Sequence, residues 1–282
     1  MFEIIDRKDL NNSTIWIKIH APDIAKKAKV GQFIILRTDE FGERIPFTIA
    51  ETDAVSGAVS VIYQVVGAST MRLAQLGKGD SILDFVGPLG NPSEIDGTPS
   101  VSDGDNKVAV IGGGLGCAIA YPQAKYLFEH GSDVDIIAGF RNKDLIILED
   151  EMREFGNLIT ITDDGSNGRK GMVTDALKEQ IENGVKYDLV IAIGPVIMMK
   201  FVCKLTKEYN IKTIVSLNPI MIDGTGMCGG CRVTVGGKVK FACIEGPDFD
   251  GHEVDFDELM RRNVMYREQE NHACELFKEA KI

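Results

Sequence analysis

Val108-Ala109-Val110-Ile111-Gly112-Gly113-Gly114-Leu115-Gly116, running on through Cys117 into the segment 118–129, is the stretch that decides how this chain folds. Its four leading apolar residues predict a strand buried on both faces, and the segment after the glycines predicts a helix. Between them, glycines let the backbone approach a pyrophosphate, while the helix start offers N–H donors and the positive end of a dipole. The run departs from the strict G-x-G-x-x-G fingerprint, because Cys117 stands at the last glycine position. A bland tight turn fits the same glycines. Their place at the first strand–helix turn of an α/β region favours a nucleotide.

Working outward, the alternation continues downstream. Apolar runs predict strands over 134–138, 158–161, 189–193 and 212–217, with helices over 148–155 and 173–182 and another ending at Tyr209. Such alternation predicts a parallel sheet covered on both faces. Upstream the pattern is different. Runs over 13–19, 32–37 and 58–63 are short and rich in β-branched and aromatic residues, punctuated by Gly, Asp and Asn. A small β-barrel closes such strands most simply.

The expected organisation is therefore a β-barrel domain over 1–98 and an α/β parallel-sheet nucleotide-binding domain over 106–220. A Gly- and Cys-rich region over 221–250 and a helical tail over 251–282 follow. The break at Asn91-Pro92-Ser93 and the Gly-, Pro-, Ser- and Asp-rich stretch 97–105 predict a linker. The Cys-rich region reads as too irregular for helix or strand. The charged tail from Phe256 onward reads as a helix or helix pair, either a docking element or a solvated cap.

Composition bounds the function. A chain of 282 residues exceeds what one core usually organises. A net charge of −11 with no basic stripe disfavours nucleic acid. Neither a basic-then-apolar leader nor an apolar run of about 18 residues is present, so no membrane span and a cytoplasmic location are expected.

Six cysteines stand at 117, 203, 228, 231, 243 and 274. Three of them, with an aspartate, give Asp223-x4-Cys228-x2-Cys231-x11-Cys243. With Cys in place of Asp, the first three positions would carry the plant-type C-x4-C-x2-C spacing of a 2Fe–2S site. Intervening glycines let such a loop curl around sulfide and aim N–H groups at it, and a carboxylate oxygen can ligate ferric iron. Two other readings fit the same residues: zinc on these cysteines with Asp223 or His252, and a C-x-x-C redox pair. In the barrel, Arg44-Ile45-Pro46-Phe47-Thr48 and Tyr63-Gln64-Val65-Val66-Gly67-Ala68-Ser69-Thr70 each bring an aromatic residue near hydroxyls. A flavin asks for an apolar face and a hydrogen bond to a ring nitrogen, and a small-residue turn can hold a phosphate. Buried core aromatics explain Phe47 and Tyr63 equally well.

Together these segments, with Gly87-Pro88-Leu89-Gly90, Gly139-Phe140-Arg141, Thr162-Asp163-Asp164-Gly165-Ser166 and Gly194-Pro195, resemble the ferredoxin-reductase-like electron-transfer subunits. That family includes the electron-transfer subunit of dihydroorotate dehydrogenase and the small subunit of NADH-dependent reduced ferredoxin:NADP oxidoreductase. Asp223 and the tail motif 251–260 are similar to the small-subunit branch. The resemblance implies an oxidoreductase subunit using FAD, NAD(H) and a 2Fe–2S cluster, with a larger flavin and iron–sulfur subunit as partner and ferredoxin served indirectly. It implies Pro46, Phe47 and Thr48 along the flavin, and Tyr63, Gln64, Ser69 and Thr70 near its ribityl chain and pyrophosphate. Gly113, Gly114, Gly116, Arg141, Asp163 and Asp164 would line the nicotinamide nucleotide, and Asp223, Cys228, Cys231 and Cys243 would hold the cluster. No acid–base residue is implied. Two positions depart from the family pattern: Ile45 occupies the place of its flavin-phosphate arginine, so that Arg44, one residue early, is the cofactor-binding arginine expected here, and Ile193 replaces a cysteine before Gly194-Pro195. The alternatives are a dihydroorotate dehydrogenase electron-transfer subunit and a zinc-stabilised nucleotide-binding module.

Overall fold

The computed structural model describes residues 1–93, Ile95 and 106–279. The predicted linker 97–105 and the end of the tail lie outside the described residues.

Seven antiparallel strands make the first sheet: β1 Phe2–Asp9, β2 Thr14–His20, β3 Phe33–Arg37, β4 Ile45–Asp53, β5 Ala58–Gln64, β6 Ser81–Ile82 and β7 Asp84–Leu89. Their order is β6-β1-β2-β5-β4-β3-β7. Leu83 alone separates β6, paired to β1, from β7, paired to β3, so the sheet curls into a nearly closed barrel. Period-2 alternation turns Ile4, Ile17, Ile19, Ile34, Leu36, Val59, Val61 and Tyr63 inward. Each of the aliphatic side chains among them contributes about 1.5–3 kcal/mol when fully buried. Two short helices, α1 Pro22–Ala25 and α2 Ala68–Leu73, decorate the barrel.

The second sheet holds β8 Lys107–Gly113, β9 Asp133–Phe140, β10 Asn157–Thr162, β11 Leu189–Ile193 and β12 Lys212–Ser216, all parallel. Helices α3 Cys117–Glu129, α4 Glu149–Arg153, α5 Val173–Glu182 and α6 Val196–Glu208 alternate with them. Two apolar clusters cover its faces, one built on α3 and the other on α5 and α6. The strand order β10-β9-β8-β11-β12 reverses direction between β8 and β11. In such sheets a crevice opens at that reversal, beyond the carboxyl ends of the strands.

The Cys-rich region departs from the sequence reading. Rather than lacking regular structure, it carries an antiparallel hairpin, β13 Arg232–Val235 with β14 Lys238–Phe241, and the short helix α7 Ala242–Glu245. Gly236 and Gly237 both have positive φ, which makes the two-residue turn that joins β13 to β14. A further strand that the apolar runs do not predict, β15 Asp248–Asp250, pairs antiparallel with β12 and extends the sheet. Two helices then close the described chain, α8 Phe256–Arg262 and α9 Arg267–Glu279. Phe256 and Leu259 of α8 are buried in the core of the nucleotide domain, whereas α9 buries no residue fully.

Barrel and α/β domain share a core. Trp16, Ala50 and Ile62 on the outer face of the barrel pack with Tyr121 and its neighbours on α3. Tyr121 also donates a 2.7 Å hydrogen bond to Glu51 of β4.

Candidate functional site

At the head of the parallel sheet, β8 runs out at Gly113, a single tight turn spans Gly114–Gly116, and α3 begins at Cys117. Each glycine has a separate physical role. A β-carbon on Gly116 would overlap the Ile193 carbonyl, and one on Gly113 would overlap the Met198 sulfur. Gly114 has φ +55° and no atom within 4 Å of where a β-carbon would stand. Gly116 thus lets the start of α3 lie close against β11, Gly113 lets the end of β8 lie close against α6, and Gly114 faces open space. Cys117 is fully buried, and burial pushes its thiol up to about 12, which leaves it unreactive.

Arg141 follows β9 directly, and Asp163 and Asp164 follow β10, so all three stand on the same carboxyl-end rim as the glycine turn. Their chain is fixed by backbone bonds from Asp163 to Phe140 and from Asp164 to Arg141. All three side chains are exposed. The Ser166 hydroxyl and N–H on its carboxylate hold Asp164 below the usual carboxylate range.

On the barrel, register sorts the expected flavin residues. Phe33 pairs with Thr48 and Ile35 with Pro46, while Ile34 pairs with Phe47. Paired residues share a face, so Pro46 and Thr48 lie outward and Phe47 inward. Phe47 stacks obliquely on Tyr63, ring centroids 5.5 Å apart. Tyr63 is fully buried inside the barrel and exposes no side-chain surface to a ligand, so a direct contact through its ring does not fit this placement. Gln64, next along β5, is half-buried on the opposite face.

The turn before α2 is held by Thr70. Its hydroxyl accepts from the N–H groups of Val66 and Gly67 and donates to the Gly67 carbonyl. Thr70 therefore builds the turn, and Ser69 donates to Glu43 at 2.6 Å. Gly67 faces open space, with nothing within 4 Å of where a β-carbon would stand. Gly67 and Gly114 are thus two places where bare backbone meets a gap, one on each domain. That is what close approach of a phosphate requires.

Arg44 does something the sequence did not announce. Its guanidinium donates to the carbonyls of Ile222 and Asp223, both at 3.2 Å, and so ties the barrel to the start of the cysteine loop. Asp223 Oδ2 accepts from the Thr225 hydroxyl at 2.6 Å and from the N–H groups of Thr225 and Met227. These bonds, the hydroxyl's foremost, hold its carboxyl below the usual range.

The Cys231 and Cys243 sulfurs stand 3.1 Å apart. They are buried against Phe33 and Ile35 of β3. Cys228 is exposed. Burial, then the bond from Cys231, pushes the Cys243 thiol up to about 12. Among the described residues, no three His, Cys, Asp or Glu side chains converge on one metal-sized point. Two of the four expected ligands are brought together; Asp223 and Cys228 lie on the same loop without closing the set. Yet the loop suits a thiolate-bound cluster. Gly224, Gly226 and Gly229 have positive φ, the Gly230 N–H points at the Cys228 sulfur at 3.4 Å, and the Gly226 N–H points at that of Cys243.

Comparison with known proteins accords with this geometry. Residues 110–204 match the oxidoreductase NAD-binding domain, and residues 218–255 match the iron–sulfur cluster binding domain of dihydroorotate dehydrogenase B. The dihydroorotate dehydrogenase B (NAD(+)) electron transfer subunit homolog of Thermotoga maritima is 46% identical over 98% of this chain and 95% of its own. The chain belongs to this electron-transfer subunit family.

An uncharacterized protein in the adh 3' region of Clostridium beijerinckii is 53% identical over 97% of this chain and 93% of its own. A solved structure, described as giving insights into flavin-based electron bifurcation via the NADH-dependent reduced ferredoxin-NADP oxidoreductase, superposes with a TM-score of 0.89. It is 44% identical and covers 98% of each chain. Like other electron-transfer subunits of this family, the chain is an oxidoreductase subunit. Its fold is a ferredoxin-reductase-like barrel joined to an NAD-binding domain, and its cofactors are FAD, NAD(H) and an iron–sulfur cluster. No helix among the described residues is long and apolar enough to cross a membrane.

Proposed function

We propose that this chain carries electrons between NAD(H) and a larger flavin and iron–sulfur partner subunit, with ferredoxin served indirectly, in the cytoplasm. The register of β3 supports this reading most directly. The same two residues that pair with Pro46 and Thr48, Ile35 and Phe33, pack their side chains against Cys231 and Cys243. The outer face of one barrel corner therefore adjoins both the strand expected to carry a flavin and the loop expected to carry a cluster.

Within this reading Pro46 and Thr48 meet the flavin ring from the outer face of β4, with Phe47 backing them from inside. Gln64 and the Gly67–Thr70 turn receive its ribityl chain and pyrophosphate, Tyr63 serving as packing beneath. The Gly113–Gly116 turn, Arg141, Asp163 and Asp164 line the nicotinamide nucleotide. Cys228, Cys231, Cys243 and Asp223 hold a 2Fe–2S cluster, with Asp223 Oδ1 as the oxygen outside the loop's own hydrogen bonds. When bound, FAD supplies the exchange between the two-electron hydride of a nicotinamide and the one-electron traffic of a cluster. The protein holds these groups in place. No side chain is asked to act as acid or base.

Functional units are proposed at 1–98 for the flavin barrel, 106–220 for the nucleotide domain, 221–250 for the cluster region and 251–282 for the tail. A second reading, the electron-transfer subunit of a dihydroorotate dehydrogenase, is supported by relatives of that name in Fusobacterium nucleatum and Clostridium perfringens. They are only 32% and 34% identical to this chain. The 44% identity over 98% of each chain to the ferredoxin-NADP oxidoreductase structure, together with Asp223 where a thiolate would complete the plant-type spacing, favours the first reading, although the 46% identical Thermotoga relative carries the second reading's name as a homolog. Purification with its native partner decides between them. NADH-dependent reduction of NADP in the presence of reduced ferredoxin supports the first, and NAD-dependent oxidation of dihydroorotate would replace it with the second.

A further inference from the structure

Three arginines from three different elements grip the carbonyls of the cysteine loop. Arg44, just ahead of β4 in the barrel, donates to Ile222 and Asp223. Arg262, at the end of α8, donates to the Gly230 carbonyl at 3.2 Å. Arg232, at the start of β13, makes a longer contact of 3.4 Å with the Gly229 carbonyl. In a trans peptide the C=O and N–H of one unit point in opposite directions. Pulling the Gly229 carbonyl outward to Arg232 therefore turns the Gly230 N–H inward, and that N–H meets the Cys228 sulfur.

Resting on the cluster assignment proposed above, we infer that Arg44, Arg262 and Arg232 are positioning residues for the iron–sulfur loop. Arg232 holds the Gly229 carbonyl outward so that the Gly230 amide faces the Cys228 sulfur. Arg44 and Arg262 fasten the loop through the carbonyls of Ile222, Asp223 and Gly230, and the positive charge of all three favours the reduced cluster. Two physical effects act in the same direction. Reduction adds negative charge, which nearby cations stabilise. Amide donors aimed at thiolate sulfur also stabilise the more electron-rich state. Arg44 and Arg262 are half-buried and less screened by water than the exposed Arg232, so they carry most of the effect. Arg262 adds a mechanical link. α8 buries Phe256 and Leu259 in the nucleotide domain, while Arg44 belongs to the barrel, so the loop is fastened to both domains at once.

The test uses the full chain with its partner and the variants R44Q, R262Q, R44K and R262K. Iron and acid-labile sulfide are assayed first. The cluster midpoint is then titrated and its paramagnetic spectrum recorded, with limited proteolysis across 220–231 as a readout independent of activity. The expected result is a midpoint moved to more negative potential in both glutamine variants and an altered spectrum. Cleavage of the loop should become severalfold faster, and the lysine variants should recover the potential more than the cleavage rate. Loss of iron from a glutamine variant that keeps its flavin absorbance also supports the inference. Glutamine variants with full iron and sulfide, an unchanged midpoint and unchanged cleavage would overturn it, leaving the cluster assignment standing. Wild-type protein without iron or sulfide would overturn both.

Discussion

Gly116 lies so close beneath the carbonyl of Ile193 that a β-carbon added to it would overlap the oxygen. The contact joins the first helix of the nucleotide domain to the strand across the crevice, and the two glycine-turn predictions follow from it.

Gly116 has φ −56°, which suits any residue, so the cost of a substitution there is purely one of space. Gly116→Ala forces α3 away from β11 and is expected to destabilise the protein by about 1–3 kcal/mol. Gly114→Ala has open space but the wrong φ, at a cost of about 1–2 kcal/mol. Its methyl also enters the crevice. Thermal unfolding and NADH titration separate the two: G116A should lose more stability than binding, and G114A more binding than stability.

Tyr121 reaches from α3 to Glu51 on the barrel. Replacing it by Phe removes a hydrogen bond to a carboxylate across the domain boundary, and a loss of about 1–2 kcal/mol is expected. Glu51 retains Lys125 at 3.8 Å, which limits the damage. Denaturant unfolding of Y121F measures it directly.

Thiol chemistry separates the cysteines. In protein stripped of iron, Cys228 is exposed and should alkylate first, while buried Cys117 and Cys203, their thiols pushed up to about 12, stay unmodified. In iron-loaded protein Cys228, Cys231 and Cys243 should all be protected. Peptide mass mapping of the two forms checks both statements.

Lys200 on α6 holds the Asp257 carboxyl of α8 below its ordinary value by a 2.6 Å bond. A carboxyl depressed in the folded state stabilises it above the unfolded carboxylate value of about 4, and loses that contribution as pH falls through the lower folded value. The protection of α8 amides, measured relative to their intrinsic exchange rates, should therefore fall in acid, and Asp257→Asn should show the lower protection already at pH 7. Identical exchange in the variant and the native chain at pH 7 would remove Asp257 from the account.

Much of the architecture was legible because it rests on local periodicity. The Val108 to Ile111 strand, the helix over 173–182 and the strand over 189–193 appear where apolar runs put them, since a parallel sheet buried on both faces writes continuous apolar segments. β15 was hidden for the opposite reason. Asp248–Asp250 is three residues long with Phe249 its one apolar member, too short for a periodic signal, and only its pairing with β12 makes it a strand. The β13–β14 hairpin is written in the sequence as alternation in Arg232–Val235 and Lys238–Phe241 around Gly236-Gly237.

At the site, spacing named the cysteine loop but not its surroundings. Alternation along β4 and β5 could have told that Phe47 and Tyr63 face the barrel interior while Pro46 and Thr48 face outward. No local pattern could show that Arg44 reaches residues 222 and 223. Contacts between positions about 180 residues apart exist only once the chain is folded.

The central claim is that one chain joins NAD(H), flavin and an iron–sulfur cluster. It is tested most directly by an anaerobic visible spectrum of the purified protein, with iron and acid-labile sulfide analysis, before and after NADH. Flavin and cluster absorbance with about two irons and two sulfides per chain, bleached by NADH, is the expected result. Zinc in place of iron, or a colourless protein that NADH leaves unchanged, would contradict it.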